Sequence, residues 1–431
     1  MRHSLAPFIN PYCGEKEPTM KYIVNNQIVL SKPLEGPLAA HIASFAQSAS
    51  DQGYGVDAVY RRVLLASCFS RWLEQKAVQL PGVSSSHVAS FLQDRARRIR
   101  LARGDSAALK QFLAFLHQRG IIPAEKAQPC QPTPVSEYAQ GFERHLRDGR
   151  ALADATIVNY LPFVRNFLTD CFGDGPVTLP CLCADEVVKF IQRQVPRLNQ
   201  KRAKLLTTAL RSFLKYALYQ GDITLDLAAA VPSVANWTMT SIPRAIPDDQ
   251  VRQLLASIDR NTSIGRRDYA ILLILARLGL RSSEVAFLNL DDIDWKKGCL
   301  SVCGKSHRRI ELPLPKEVGE AIVAYLQNGR PRCTSRRVFL RGKAPIRGFI
   351  SNAAIGSIVQ HTLKRAGIIA PTNGAHQFRH ALATQMLRHG ASLTEIGEIL
   401  GHRSPETTKI YIKVDLQALR PLALPWPGVK Q

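Results

Sequence analysis

One eight-residue pattern occurs twice in the first half of this chain, and it fixes the architecture more tightly than any other feature. Ala108-Leu109-Lys110-Gln111-Phe112-Leu113-Ala114-Phe115 is matched by Ala209-Leu210-Arg211-Ser212-Phe213-Leu214-Lys215-Tyr216, with Gly120 and Gly221 following. Upstream, Val88, Phe91 and Leu92 correspond to Val187, Phe190 and Ile191, and the apolar stretch at Trp72-Leu73 to that at Phe167-Leu168. Apolar residues recur at i, i+3 and i+4 in each block, so each copy predicts a bundle of about four helices. Two copies are too few for a solenoid; they predict tandem helical domains, over 37–125 and 134–231.

Proline-rich connections divide the chain. The stretch Pro123–Pro134 reads as a stiff linker and Pro232–Pro247 as a second one. Residues 1–36 form an N-terminal arm, in which Tyr22–Leu30 with Asn25-Asn26 suggests a small hairpin. After the second linker the pattern changes, and 247–431 reads as a separate domain. Asp248-Asp249 is read as capping a helix through Ser257, and a second apolar helix runs from about Arg266 to Leu278, stopped by Gly279. A three-stranded antiparallel meander follows at Ile293–Trp295, Leu300–Cys303 and Arg309–Leu312. Helices resume at Lys316–Gln327, Ser351–Arg365, Ala375–Arg388 and Ser392–Leu400. Ser392 with Glu395 makes a capping box, and Ser404-Pro405 starts a helix that carries Tyr411 about two turns in. The fold class predicted is mainly α with a small three-stranded antiparallel sheet.

Charge narrows the partner. Lys and Arg number 57 against 34 Asp and Glu, a formal net charge of +23. Each cation set on a phosphate releases condensed counterions, so this surplus points to nucleic acid rather than to a membrane, for which no basic amphipathic helix stands out. Nine cysteines without a C-x-x-C pair fit neither a disulfide framework nor a zinc site and are read as buried free thiols. No apolar run is long enough for a signal peptide or a membrane span. The chain is therefore expected in the cytoplasm, associated with the nucleoid.

The final third concentrates groups that bind phosphate and move protons. Arg281 follows Gly279-Leu280 at a helix start, where free N–H groups favour an anion. His376 and Arg379 are three apart on one helix and share a face. Lys305 occupies the turn Gly304-Lys305-Ser306-His307, His402 follows Gly401, and Tyr411 comes nine residues later. His380 and His389 are read as structural.

In these segments the chain resembles the tyrosine recombinase (phage integrase) family, with a Xer-like catalytic domain. Four blocks in order carry the resemblance: Leu278-Gly279-Leu280-Arg281-Ser282-Ser283-Glu284, then Gly304-Lys305-Ser306-His307-Arg308-Arg309-Ile310-Glu311-Leu312-Pro313. The third is His376-Gln377-Phe378-Arg379-His380, and the fourth runs from Leu400-Gly401-His402 through Thr407-Thr408 to Tyr411. It covers 247–415 well, and 134–231 by pattern as a core-binding domain. Residues 37–125 then look like an extra copy of that bundle, a departure from the minimal two-domain plan.

The resemblance implies site-specific DNA recombination of the integration or transposition type, through a 3′-phosphotyrosyl link and a Holliday junction, with no metal, ATP or other cofactor. Its catalytic set is Arg281, Lys305, His376, Arg379, His402 and Tyr411. The two arginines would clamp the non-bridging oxygens, His376 would accept the phenol proton, His402 would donate to the phosphate and Lys305, with Lys296 or Lys297 as its rival, would protonate the departing 5′ oxygen. Glu284 would support Arg281, and Arg308 and Arg309 would contact DNA. The expected partners are double-stranded DNA bearing recombination sites, further copies of the chain in a homotetramer on paired sites, and related recombinases. The apolar tail after Tyr411, including Leu416, Leu419 and Trp426, is a candidate for docking into a neighbouring protomer or, equally, for folding back onto its own domain. A type IB topoisomerase and a DNA-binding relative that no longer cleaves are the rival readings.

Overall fold

The computed structural model describes residues 34–123, 133–173, 175–234, 243–304, 309–402 and 404–414, with the backbone of two short strands near the N-terminus. Those strands, β1 (Tyr22–Val24) and β2 (Gln27–Val29), pair antiparallel with Ile23 opposite Ile28. Their connecting Asn25-Asn26 lies outside the described residues. Glu125–Thr240 form one compact unit, and Met1–Ala124 together with Ser241–Gln431 form the other.

The repeat read from the sequence folds into two bundles with the same element order. The first comprises α1 (Ala39–Asp51), α2 (Val56–Gln75), α3 (Ser85–Ala96) and α4 (Asp105–Gln118), with a 3-10 turn at Leu80–Gly82 before α3. The second comprises α5 (Pro134–Arg144), α6 (Asp154–Phe172), α7 (Ala184–Gln194) and α8 (Gln200–Gln220), with a 3-10 turn at Leu179–Cys181 in the same place. Both turns begin Leu-Pro, because proline has no N–H to leave unpaired at a first turn.

Each bundle is knit by the same aromatic lattice. Phe45 meets Phe112 at 4.7 Å and Phe115 at 5.8 Å between ring centroids; in the second bundle Phe142 meets Phe213 at 5.4 Å and Tyr216 at 5.6 Å. Phe69 meets Phe91 at 5.3 Å, as Phe167 meets Phe190 at 5.1 Å. Phe112 and Phe213 are both fully buried. Cutting either back to alanine is expected to cost about 3–5 kcal/mol, from the transfer energy given up and the cavity left behind; thermal or denaturant unfolding of the variants measures it.

The C-terminal region is built around α10 (Ser263–Leu278), in which Ile271–Leu275 are all buried. Around it lie α9 (Asp248–Ala256), α11 (Ser282–Ala286), α12 (Lys316–Asn328), α13 (Ala353–Arg365) and α14 (His376–Arg388). The sheet runs β3 (Ile293–Asp294), β4 (Cys299–Cys303) and β5 (Arg309–Pro313), antiparallel throughout. Leu300 stands opposite Leu312 and both are buried, so the period-2 alternation turns one face onto the helices. α15 (Leu393–Ile399) and the four-residue α16 (Pro405–Thr408) complete the region.

Several local expectations change. The cap of α9 is Pro247, and Asp248 and Asp249 fall in the first turn, where their charge meets the positive end of the helix. The helix opened by Ser404-Pro405 lasts a single turn, and Tyr411 lies on a 3-10 continuation, Lys409–Val414. The seven described cysteines are free, but none is buried: Cys181, Cys183 and Cys303 are exposed and the rest half-buried. Cys183 caps α7 and Cys181 closes a surface turn, so the apolar-core reading of these thiols is corrected. No described helix is long and apolar enough to cross a membrane.

Within the unit formed by Met1–Ala124 and Ser241–Gln431 the N-terminal bundle touches the C-terminal region. The Ile346 amide donates to the Gln52 carbonyl at 2.8 Å, beside Gly53 in the α1–α2 turn.

Candidate active site

Three loop ends converge, and glycine makes the approach possible. α10 ends at Gly279 with φ +59; a Cβ there would lie 2.9 Å from Leu382 and 3.0 Å from Leu400. Only glycine combines that backbone with that crowding. Two residues on, Arg281 caps α11 and is fastened at both ends by one carboxylate. Glu284 accepts from the Arg281 amide and from its Nη1, each at 2.7 Å, while Arg281 Nη2 donates to the Gly401 carbonyl at 3.3 Å.

Arg379 comes from α14 and is buried. Its Nη1 donates to the Gly279 carbonyl at 2.8 Å and its Nη2 to the Leu400 carbonyl, so one guanidinium ties the end of α10 to the end of α15. Burial, and secondarily the neighbouring Arg281, lowers its pKa to about 10. It remains a cation at neutral pH, and the two arginines form a concentrated positive site.

His402 follows Gly401 and shares a 2.8 Å hydrogen bond, through Nδ1, with the buried Thr408 hydroxyl. Its ring lies nearly parallel to that of Tyr411, 6.4 Å away. Tyr411 is 2% exposed, packed with Ala383, Ile396 and Leu400. Burial pushes its pKa up to about 12, against the pull of Arg379, so the phenol is protonated at neutral pH.

The phenol oxygen has a histidine partner on α14. It lies 3.0 Å from Nδ1 of His380, one residue past Arg379, and the exposed His376 meets the edge of the His380 ring at 4.5 Å. Burial first, then His376 and Arg379, lowers the pKa of His380 to about 4. A neutral His380 with its proton on Nε2 can accept from the tyrosine, a tautomer assigned from this hydrogen bond. The reading of His380 as merely structural therefore misses its place beside the phenol. The signal that could have found it is helical: His376 and His380 are i and i+4 and share a face, just as His376 and Arg379 do. His389 bonds only one turn back, to Gln385, on the surface.

Of the remaining assigned residues, Arg309 is exposed on β5 and lines a small cleft with Glu284 and Arg337. Lys305 and Arg308 lie outside the described residues, as does the apolar tail beyond Val414.

Known proteins are similar to this chain. The model of the phage integrase family matches residues 244–418. The chain is 58% identical over 412 residues to protein y4rA of Sinorhizobium fredii, named an integrase/recombinase, across 96% of this chain and 100% of that protein. The chain belongs to the phage integrase family of tyrosine recombinases. Tyrosine recombinase XerD of Mycobacterium tuberculosis is 30% identical over 308 residues, 67% of this recombinase and 96% of XerD. In fold, the recombinase is similar to XerH, solved bound to a difH substrate in a post-cleavage complex. There the TM-score is 0.54 and the identity 19%, over 72% of this chain and 93% of that one. A lambda integrase dimer on a core site is similar with a TM-score of 0.51 and 15% identity, over 68% of this chain and 98% of that one. The activity of the recombinase is site-specific DNA recombination.

The histidines make stability depend on pH. His402 too is lowered to about 4, by burial and then by Arg379 and Arg281. Unfolded, both histidines take up protons near pH 6.5; folded, they resist until about pH 4. The unfolded chain binds more protons over that window, so stability is lost as the pH falls through it. The melting temperature of the recombinase should drop between pH 7 and pH 5, and His380→Gln should flatten part of that drop. An unchanged slope in the variant would remove His380 from the account.

Proposed function

We propose that the recombinase cuts and rejoins duplex DNA with Tyr411 as nucleophile. The phenol oxygen attacks the phosphorus, the bond from phosphorus to the 5′ oxygen breaks, and the products are a 3′-phosphotyrosyl link and a free 5′ hydroxyl. Arg281 and Arg379 clamp the two non-bridging oxygens, and their fixed charge meets the charge that develops on them. His402 donates to the same phosphate. The phenol proton passes to the histidine pair, His380 as the immediate neighbour and His376 beyond it. Glu284 holds Arg281 in position, and Arg308 and Arg309 contact the DNA backbone. The phosphotyrosyl ester conserves the energy of the bond it replaces, so resealing is attack by a 5′ hydroxyl and draws on no nucleotide.

The observation that carries this reading is the joining of three sequence-distant segments by two arginines: Arg379 on the Gly279 and Leu400 carbonyls, Arg281 on that of Gly401. Binding-site selection from random duplexes would supply the substrate, and a nick near the cleavage point would trap the intermediate. Mass spectrometry should find the 3′-phosphate on Tyr411. A trapped adduct on another residue would overturn the assignment. On paired sites four copies would exchange strands in turn through a Holliday junction, with the apolar tail docking into a neighbour.

Lys305 is assigned as the acid for the leaving 5′ oxygen. Lys305→Ala should cleave ordinary DNA roughly two to four orders of magnitude more slowly. With sulfur in place of the bridging 5′ oxygen, the leaving group needs no proton and the variant should recover nearly the wild-type rate. Equal slowness on both substrates would make Lys305 a DNA-positioning residue instead.

A further inference from the structure

The first bundle repeats the element order and the aromatic contacts of the second, and both carry cations on their surfaces. Aligning the lattice residues Leu109 with Leu210 and Phe112 with Phe213 puts Arg100 level with Lys201, Arg103 with Lys204 and Lys110 with Arg211. The match is one of sequence register, since Arg100 and Arg103 precede α4 while Lys201 and Lys204 lie in the first two turns of α8, but in each bundle the junction between the third and fourth helices carries cations. Arg97, Arg98, Arg100 and Arg103 are all exposed at the α3–α4 junction, as Arg197, Lys201, Arg202 and Lys204 are at α7–α8.

The acids flanking the first junction are already engaged. Asp94 accepts from the Trp72 indole at 3.2 Å and from Arg97 at 3.4 Å. Asp105 is buried and accepts from the Ala102 amide at 3.1 Å. Among the described residues, Arg98, Arg100 and Arg103 have no carboxylate partner. A solvated surface tends to intersperse charges of both signs; three exposed arginines within six residues, between two occupied acids, form a field of one sign. The bundle meets the C-terminal region at the Gln52 carbonyl in its α1–α2 turn, and the junction arginines are exposed.

We propose that the α3–α4 junction of the first bundle is a second binding surface for the backbone of duplex DNA, engaged together with the one the second bundle supplies. The proposal rests on the reading of the chain as a DNA recombinase and extends it: two copies of one helical unit would grip the same duplex, lengthening the site beyond what a single bundle and the catalytic region cover. Guanidinium groups suit this because each can take two phosphate oxygens at once, without reading the base sequence.

The test uses the full chain on a long duplex containing the selected site. Arg98→Ala/Arg100→Ala/Arg103→Ala is compared with a control of equal charge loss elsewhere on the bundle, Arg71→Ala/Lys76→Ala/Arg119→Ala, both checked for folding by thermal melting. Each phosphate deprived of its cation reduces the magnitude of the negative slope of log affinity against log salt by about 0.9. The junction variant should lower it by roughly two to three and shorten the footprint at one end, while the control leaves both as in the wild type. An unchanged footprint and slope would overturn the proposal and leave that face to a protein partner. An equal loss in both variants would overturn it too, by showing diffuse charge instead of a site. Failure of the underlying reading looks different: the wild type itself would give no footprint and no covalent adduct.

Discussion

Tyr411→Phe should bind its DNA site as the wild type does and form no covalent adduct with it. The change removes one atom, the oxygen proposed to bond to phosphorus, and keeps the ring that packs among Ala383, Ile396 and Leu400. What the fold loses is the hydrogen bond to His380. A typical internal hydrogen bond contributes about 0.5–1.5 kcal/mol net, too little to unfold a chain of this size. Half-exposed His380 can turn to water in its place. Binding, melting temperature and circular dichroism should therefore stay near wild type, while denaturing gels after incubation with a nicked substrate show no shifted band. An adduct of normal yield would mean that another residue is the nucleophile.

Arg379→Ala should also destroy cleavage, and it should destabilise the protein, which Tyr411→Phe does not. The guanidinium does two things at once. It supplies charge beside Arg281, and it satisfies the carbonyls of Gly279 and Leu400, which lie in different segments of the motif. Removing one preorganised donor to a developing anion slows an enzyme by about two to three orders of magnitude. Leaving buried carbonyls unpaired adds about 1–3 kcal/mol each of instability, unless water enters. Arg379→Lys should keep much of the phosphate affinity but little of the rate, because an ammonium is a point charge and cannot span two carbonyls and a phosphate in one plane. Single-turnover cleavage by Arg379→Ala within about tenfold of wild type, on a fully folded protein, would count against its role on the phosphate.

Much of the fold was legible because the deciding signals were local and periodic. The repeated Ala-Leu-x-x-Phe-Leu block announced two bundles, and Gly279 and Gly401 stood where the chain turns left-handed. The Ser392–Glu395 box and the Ser404 cap were readable from four-residue patterns. What escaped depends on three-dimensional neighbours. Nothing in Pro405–Val414 says that the helix stops after one turn and tightens, because that follows from how Thr408 must meet His402 and how Tyr411 must reach the α14 face. The same holds for His380, whose partner is thirty-one residues away along the chain. The cysteines misled for a related reason: composition says thiols prefer the interior, whereas Cys181 and Cys183 were placed by turn and cap geometry.

The burial of the Tyr411 ring has a kinetic consequence. Tyr411 is 2% exposed, so if its phenol is the nucleophile as proposed, cleavage belongs to a minority population in which the ring has left its nest. The observed rate is then the intrinsic rate multiplied by the fraction of molecules in that population. Each additional ~1.4 kcal/mol that secures the ring would reduce this fraction, and the rate, about tenfold. Better packing around Ile396 or Leu400 would give a protein that melts later and cuts more slowly, and a mildly loosened nest would give the reverse. On that proposal thermal robustness and catalytic readiness would draw on the same few side chains around Tyr411.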